Sequence, residues 1–119
     1  VTAPTIEPGV RVLRLLAPLG SVALAVPVAS AVVAGAPLGA EGGAILALAW
    51  GLVTMVDLGI ALVLGWAWIA WREARPLAAI AWLPIVALTG SAGVCAYLAI
   101  AARRAGTVRE VLVGPRRVA

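Results

Sequence analysis

"GAILALAWGLVTMVDLGIALVLGWAWIAW", residues 43 to 71, is apolar throughout except for Thr54 and one acid, Asp57, near its middle. A helix rises 1.5 Å per residue, so about 20 residues cross a hydrocarbon core of about 30 Å, and this run is long enough to do so. Strands of a membrane barrel are shorter and alternate in polarity, which this run does not. Lipid offers backbone groups no water to bond, so helix is the expected state.

The flanks extend the same reading. Trp66, Trp68 and Trp71 crowd the end of the run and "REAR", residues 72 to 75, follows at once. Indole rings favour the headgroup boundary and Arg the water beyond it, so Trp66, Trp68, Trp71, Arg72 and Arg75 are expected as interface anchors. A second uncharged run begins at Pro76, a good first-turn residue, and closes at Arg103 and Arg104, a further anchor pair. On the other side lies "LLAPLGSVALAVPVASAVVAGAPLGA", residues 15 to 40, preceded by Arg11 and Arg14. Pro18, Pro27 and Pro37 each remove a backbone donor from that run, and Pro27 near its midpoint predicts a kink. "ASA" (29 to 31) or "AGA" (34 to 36) resembles a signal-peptidase site, but the length of the run favours a retained helix.

Composition agrees. Of 119 residues, 64% are hydrophobic and 12% charged, and the mean hydropathy is +1.12, well beyond a soluble domain. The expectation is therefore an all-α membrane protein with three transmembrane helices at about 13–36, 43–71 and 76–102. The first is Pro-kinked, and the second and third form a tight antiparallel hairpin. Residues 105–119, "AGTVREVLVGPRRVA", read as an Arg-rich tail at the headgroup surface. The Arg residues sit just outside apolar spans, so the expected partners are a bilayer with anionic headgroups and other membrane subunits or further copies of the chain, not nucleic acid.

Three spans put Arg11, Arg14, Arg72 and Arg75 on one side and Arg103, Arg104, Arg109, Arg116 and Arg117 on the other. That balance leaves orientation to the first helix, which places the N-terminus and "REAR" in the cytoplasm. The chain has no His, one Cys (Cys95) and five scattered acids, so no cofactor or metal is expected.

Asp57 is the one feature that asks for chemistry. An Asp at the centre of a spanning helix costs about 2.5 to 3.5 kcal/mol, so it calls for a partner, a water-filled cavity or a proton. Trp50, Thr54, Asp57, Ala61, Gly65 and Trp68 recur at intervals of three and four and share one helix face. In a straight antiparallel hairpin, "LTGSAG" (88 to 93) reaches the depth of Asp57. There a protonated Asp57 donates to Thr89, with Ser91 at hand, while Ala61, Gly65, Gly90 and Gly93 let the helices close. Tyr97 and Cys95 lack an accompanying base and read as interface and core residues.

The segments "DLGIALVLGWAWIAWREAR", "WLPIVALTGSAG" and "YLAIAARR" resemble the small bacterial membrane-protein family DUF2834, over residues 50 to 104, through Asp57, Arg72, Glu73, Arg75, Trp82, Gly90 and Leu98. The Pro-rich first helix and the Arg-rich tail depart from the family's pattern. The resemblance implies a three-helix bacterial inner-membrane protein and no particular activity.

Function is then expected to be non-enzymatic: an accessory or scaffold subunit that packs through its small-residue faces and Asp57. A proton-coupled or cation carrier built as an oligomer around Asp57 is the alternative. An isoprenoid or lipid enzyme ranks third, since one intramembrane acid replaces the usual paired carboxylates.

Overall fold

The computed structural model describes residues 5–114, and among these all regular structure is helical. Arg116 and Arg117, the end of the expected tail, lie outside the described residues. Six helices follow in order: α1 Pro8–Val33, α2 Leu38–Ala47, α3 Ala49–Arg72, α4 Pro76–Thr89, α5 Ser91–Arg104 and α6 Val108–Val113. Two of them, α1 and α3, are long and apolar enough to cross a membrane, each with a window of mean hydropathy 2.0, where three were expected.

The third expected span is the one that fails. Residues 76–102 do not form one helix, because Gly90 adopts φ +63° and ψ −138° and separates α4 from α5. Only glycine reaches that backbone region without strain. Were the run straight, Trp82 and Tyr97 would stand about 22 Å apart along the axis. Their ring centroids are instead 5.1 Å apart, so α5 folds back along α4. Each helix of this pair is 14 residues long, about 21 Å, too short to cross alone.

The first two runs also end or break earlier than expected. α1 stays helical through Pro18 and Pro27 and stops at Val33 in a Schellman turn. Gly35, at φ +68°, donates to Val32 O, and Ala36 donates to Ala31 O, both at 3.0 Å. Pro37 then blocks any continuation. The 43–71 run is divided at Leu48, whose extended backbone parts α2 from α3. Glycine at position 51 permits the close approach there, since a Cβ would overlap the Ile45 carbonyl.

α5 is the central element. It packs mainly on α1 and also on α3, α4 and α6, while α1 and α3 do not touch each other. Along the α1–α5 seam small residues set the spacing: a Cβ on Gly20 would lie 2.8 Å from the Cys95 sulfur, and Ser21 Oγ donates to Ala92 O at 3.1 Å. The expected hairpin of α3 with the following helix is present only at its closed end, where Trp66 Nε1 donates to Ala79 O at 2.9 Å. Two apolar clusters form the core. Val10, Ala101, Ala102, Ala105 and Val111 join α1, α5 and α6, and Ile69, Val86 and Tyr97 join α3, α4 and α5.

Because α5 returns, the described Arg residues gather at one end. Glu7 N donates to Gly106 O at 3.0 Å, which sets the start of α1 beside the end of α5, and Arg72 bonds to α6. All seven Arg among the described residues therefore lie at this end, against the expected division between two sides. The segment 105–114 is likewise not a loose surface tail. Thr107 and Glu110 form a capping box that starts α6, and Val111 is fully buried.

The opposite end is open. α1 packs on α5 and α6, and past that seam Val26, Val28 and Val32 of α1 are more than half exposed, as are Trp50, Val53 and Val56 of α3. Only 6% of the apolar window of either long helix is buried. A core helix of a soluble domain is covered by its own chain, so this exposure is what a lipid or protein neighbour would cover.

Candidate functional site

Asp57 lies on the open part of α3, in a shallow depression of about 370 Å³ shared with Leu52, Val53, Val56 and Ile60, all from α3. Its carboxylate makes no hydrogen bond or ion pair among the described residues. The expected bond to Thr89 is not formed. Thr89 Oγ1 donates to Ile85 O in its own helix, and Thr54 Oγ1 donates to Trp50 O at 2.8 Å in its own. Such bonds to the carbonyl four residues back are how a hydroxyl is satisfied without a neighbouring helix. Ser91 and Ala61 are both exposed, Ala61 one turn along α3 from Asp57 and Ser91 at the start of α5. The physical reason is the fold-back at Gly90, which leaves Thr89 and Ser91 at a tip and brings α5 back onto the part of α3 beyond Asp57, where Val94 meets Gly65.

The expected packing glycines do pack, with different partners. A Cβ on Gly65 would meet Val94 of α5 at 2.9 Å, and one on Gly93 would meet Thr89 Oγ1 at 2.5 Å and the α4 backbone at 3.3 Å. Gly90 is the turn itself.

The richer constellation sits at the charged end, around Tyr97. Its hydroxyl donates to Glu73 Oε1 at 2.5 Å and accepts from Arg72 Nη1 at 2.9 Å. Arg72 also donates from Nε to Val111 O at 2.7 Å and from Nη2 to Glu110 O at 3.4 Å, and stands 3.8 Å from Glu73. The Arg72 side chain is only 10% exposed. It was expected as an interface anchor and instead ties α3, α5 and α6 together. Trp68 and Trp82 meet the Tyr97 ring edge-on, at 5.5 and 5.1 Å.

No family model, curated protein or solved structure matches the chain. The residues themselves must therefore carry the reading.

The other expected anchors divide into two groups. Trp66 and Trp68 are partly buried, and Trp68 Nε1 donates to Leu112 O at 3.0 Å, so both indoles bind the chain's own carbonyls. Trp71, Arg75, Arg103 and Arg104 are exposed at the charged end. There a cleft of about 510 Å³ opens between the 72–75 turn and the end of α5, with Trp71, Arg72, Glu73, Arg75, Arg104 and Glu110 on its walls.

Two polar clamps escaped the reading of the sequence. Arg14 donates to the carbonyls of Ala102, Arg103 and Ala105 at 2.8, 3.3 and 3.1 Å, where the α5 carbonyls lack helical partners and the dipole favours a cation. Nothing in "VLRLLAP" distinguishes this Arg from a topology anchor. The second clamp was legible: "TVRE", residues 107 to 110, has the capping-box pattern, and Glu110 Oε2 accepts from Gly106 N at 2.7 Å. Among the described residues no three His, Cys, Asp or Glu side chains group as a metal site.

Proposed function

We propose that the chain is a small membrane subunit that docks onto a neighbouring helix through the open face of α3. The observation that supports this reading is Asp57, exposed and without a partner amid Val53, Val56 and Ile60. Left against hydrocarbon it costs about 2.5 to 3.5 kcal/mol, which a donor on another helix removes. The neighbour is a further copy of this chain or a subunit of a larger membrane complex, and the role is assembly rather than catalysis. Kinship with the DUF2834 family belongs to the same proposal, since Arg72, Glu73 and Trp82, which carry that resemblance, meet around Tyr97.

The arrangement in the bilayer is also proposed. α1 and α3 cross, the α4–α5 pair enters and returns, and the Arg-bearing end faces the cytoplasm of a bacterial inner membrane by the positive-inside tendency.

A photocrosslinking residue at Val56 tests the docking. In native membranes it is expected to capture one discrete protein, and Asp57→Leu is expected to lower that yield about tenfold, the scale of one intramembrane hydrogen bond of 1 to 2 kcal/mol. Lipid adducts alone, with a lone monomer in mild detergent, would overturn the reading.

A further inference from the structure

The cleft at the charged end holds both signs, but only one remains uncommitted. Glu110 Oε2 accepts from the backbone N–H groups of Gly106 and Thr107, at 2.7 and 3.4 Å. Glu73 is taken by the Tyr97 hydroxyl and by Arg72, and Arg72 spends its donors on Tyr97, Val111 and Glu110. The side chains of Arg75 and Arg104 have no hydrogen bond or ion pair among the described residues, and both residues line the same concavity. An anion bound in this cleft gains attraction from both cations at once. The guanidinium fork matches phosphate oxygens in a bidentate manner.

We propose that this cleft binds a phosphate group between Arg75 and Arg104. Its size, about 510 Å³, suits a headgroup or a small phosphorylated molecule. Ala78 and Val113 give the cleft an apolar side, against which the glycerol and first acyl carbons of a phospholipid would lie. The two sources, a lipid phosphodiester at the membrane surface and free phosphate, share this chemistry. The proposal is independent of the Asp57 reading.

The test uses the full chain in phosphatidylcholine nanodiscs. One arm raises the phosphatidylglycerol fraction and the other titrates inorganic phosphate, with bound lipid or phosphate counted by native mass spectrometry. Phosphatidylglycerol retained in a saturable one-to-one complex identifies the lipid, and saturation by inorganic phosphate identifies a soluble ligand. In either case Arg75→Gln with Arg104→Gln is expected to weaken binding about tenfold or more, the cost of losing a charge-assisted pair. Arg103→Gln with Arg109→Gln, an equal loss of charge outside the cleft, is expected to change it less than about twofold. The Arg75→Lys, Arg104→Lys variant keeps the charge and checks that the cleft variant is folded. Equal weakening by both Gln pairs would reduce the effect to surface charge and overturn the site, as would no saturable binding in either arm.

Discussion

Arg72 shows how one residue can change role between sequence and fold. Beside three Trp at the end of an apolar run it has the position of a headgroup anchor, yet its guanidinium points inward to Tyr97 and to two α6 carbonyls. Removing it leaves the Tyr97–Glu73 pair without its cation and takes a charged donor from the Val111 and Glu110 carbonyls. Arg72→Ala is therefore expected to cost about 2–4 kcal/mol, as for a partly buried charge that loses its partners. Tyr97→Phe removes one hydroxyl and leaves Arg72 free to close on Glu73, so it is expected to cost about 1 kcal/mol. Retention of the folded peak after heating in detergent ranks the two. Equal losses would mean that Arg72 acts mainly through the Tyr97 hydroxyl and that its bonds to the α6 carbonyls add little. Asp57 shows the converse: the sequence marks it as an acid amid apolar residues, but the partner expected for it rests on straight helices, which Gly90 interrupts.

At the scale of elements, the α4–α5 corner is the decisive feature, and it depends on Gly90. The nearest atom to a Cβ there would be Leu24 Cδ2 at 3.9 Å, so alanine has room, and its cost is backbone strain alone. Gly90→Ala is expected to destabilise by about 1–3 kcal/mol, and Ser91→Ala by less than about 0.5 kcal/mol, measured by denaturant titration in the same detergent. A Gly90→Ala variant as stable as wild type would mean that the run straightens at no cost. This corner also marks the limit of what was legible. Apolar length fixed helix as the state of every run, and "AGAP" and "TVRE" carry the stop of α1 and the start of α6. Glycine inside a long apolar run, however, serves equally as a packing position or as a turn, and Gly65, Gly90 and Gly93 look alike in sequence while only Gly90 turns. The break at Leu48 had no local marker, for neither Pro nor Gly stands there, and its enabling glycine lies three residues on.

At the scale of the whole molecule, the same corner decides how charge is distributed. With three crossings the Arg residues fall on both sides and the orientation is undetermined. With α5 folded back, the described Arg residues share one end, and among the described residues Glu41 and Asp57 are the only charged side chains away from it. Such an asymmetry gives the positive-inside tendency a clear direction, and the proposed arrangement puts "REAR" and α6 in one compartment and α2 in the other. Single cysteines introduced in a Cys95→Ser background measure this directly. An impermeant maleimide added to intact spheroplasts is expected to label Gly39→Cys at the start of α2, and to label Ala74→Cys and Arg109→Cys only after permeabilisation. Labelling of Arg109→Cys together with Gly39→Cys, while Ala74→Cys stays protected, would mean that residues 76–104 cross the bilayer. In that case the 5.1 Å contact of Trp82 with Tyr97 could not exist, because a crossing helix separates those rings by about 22 Å.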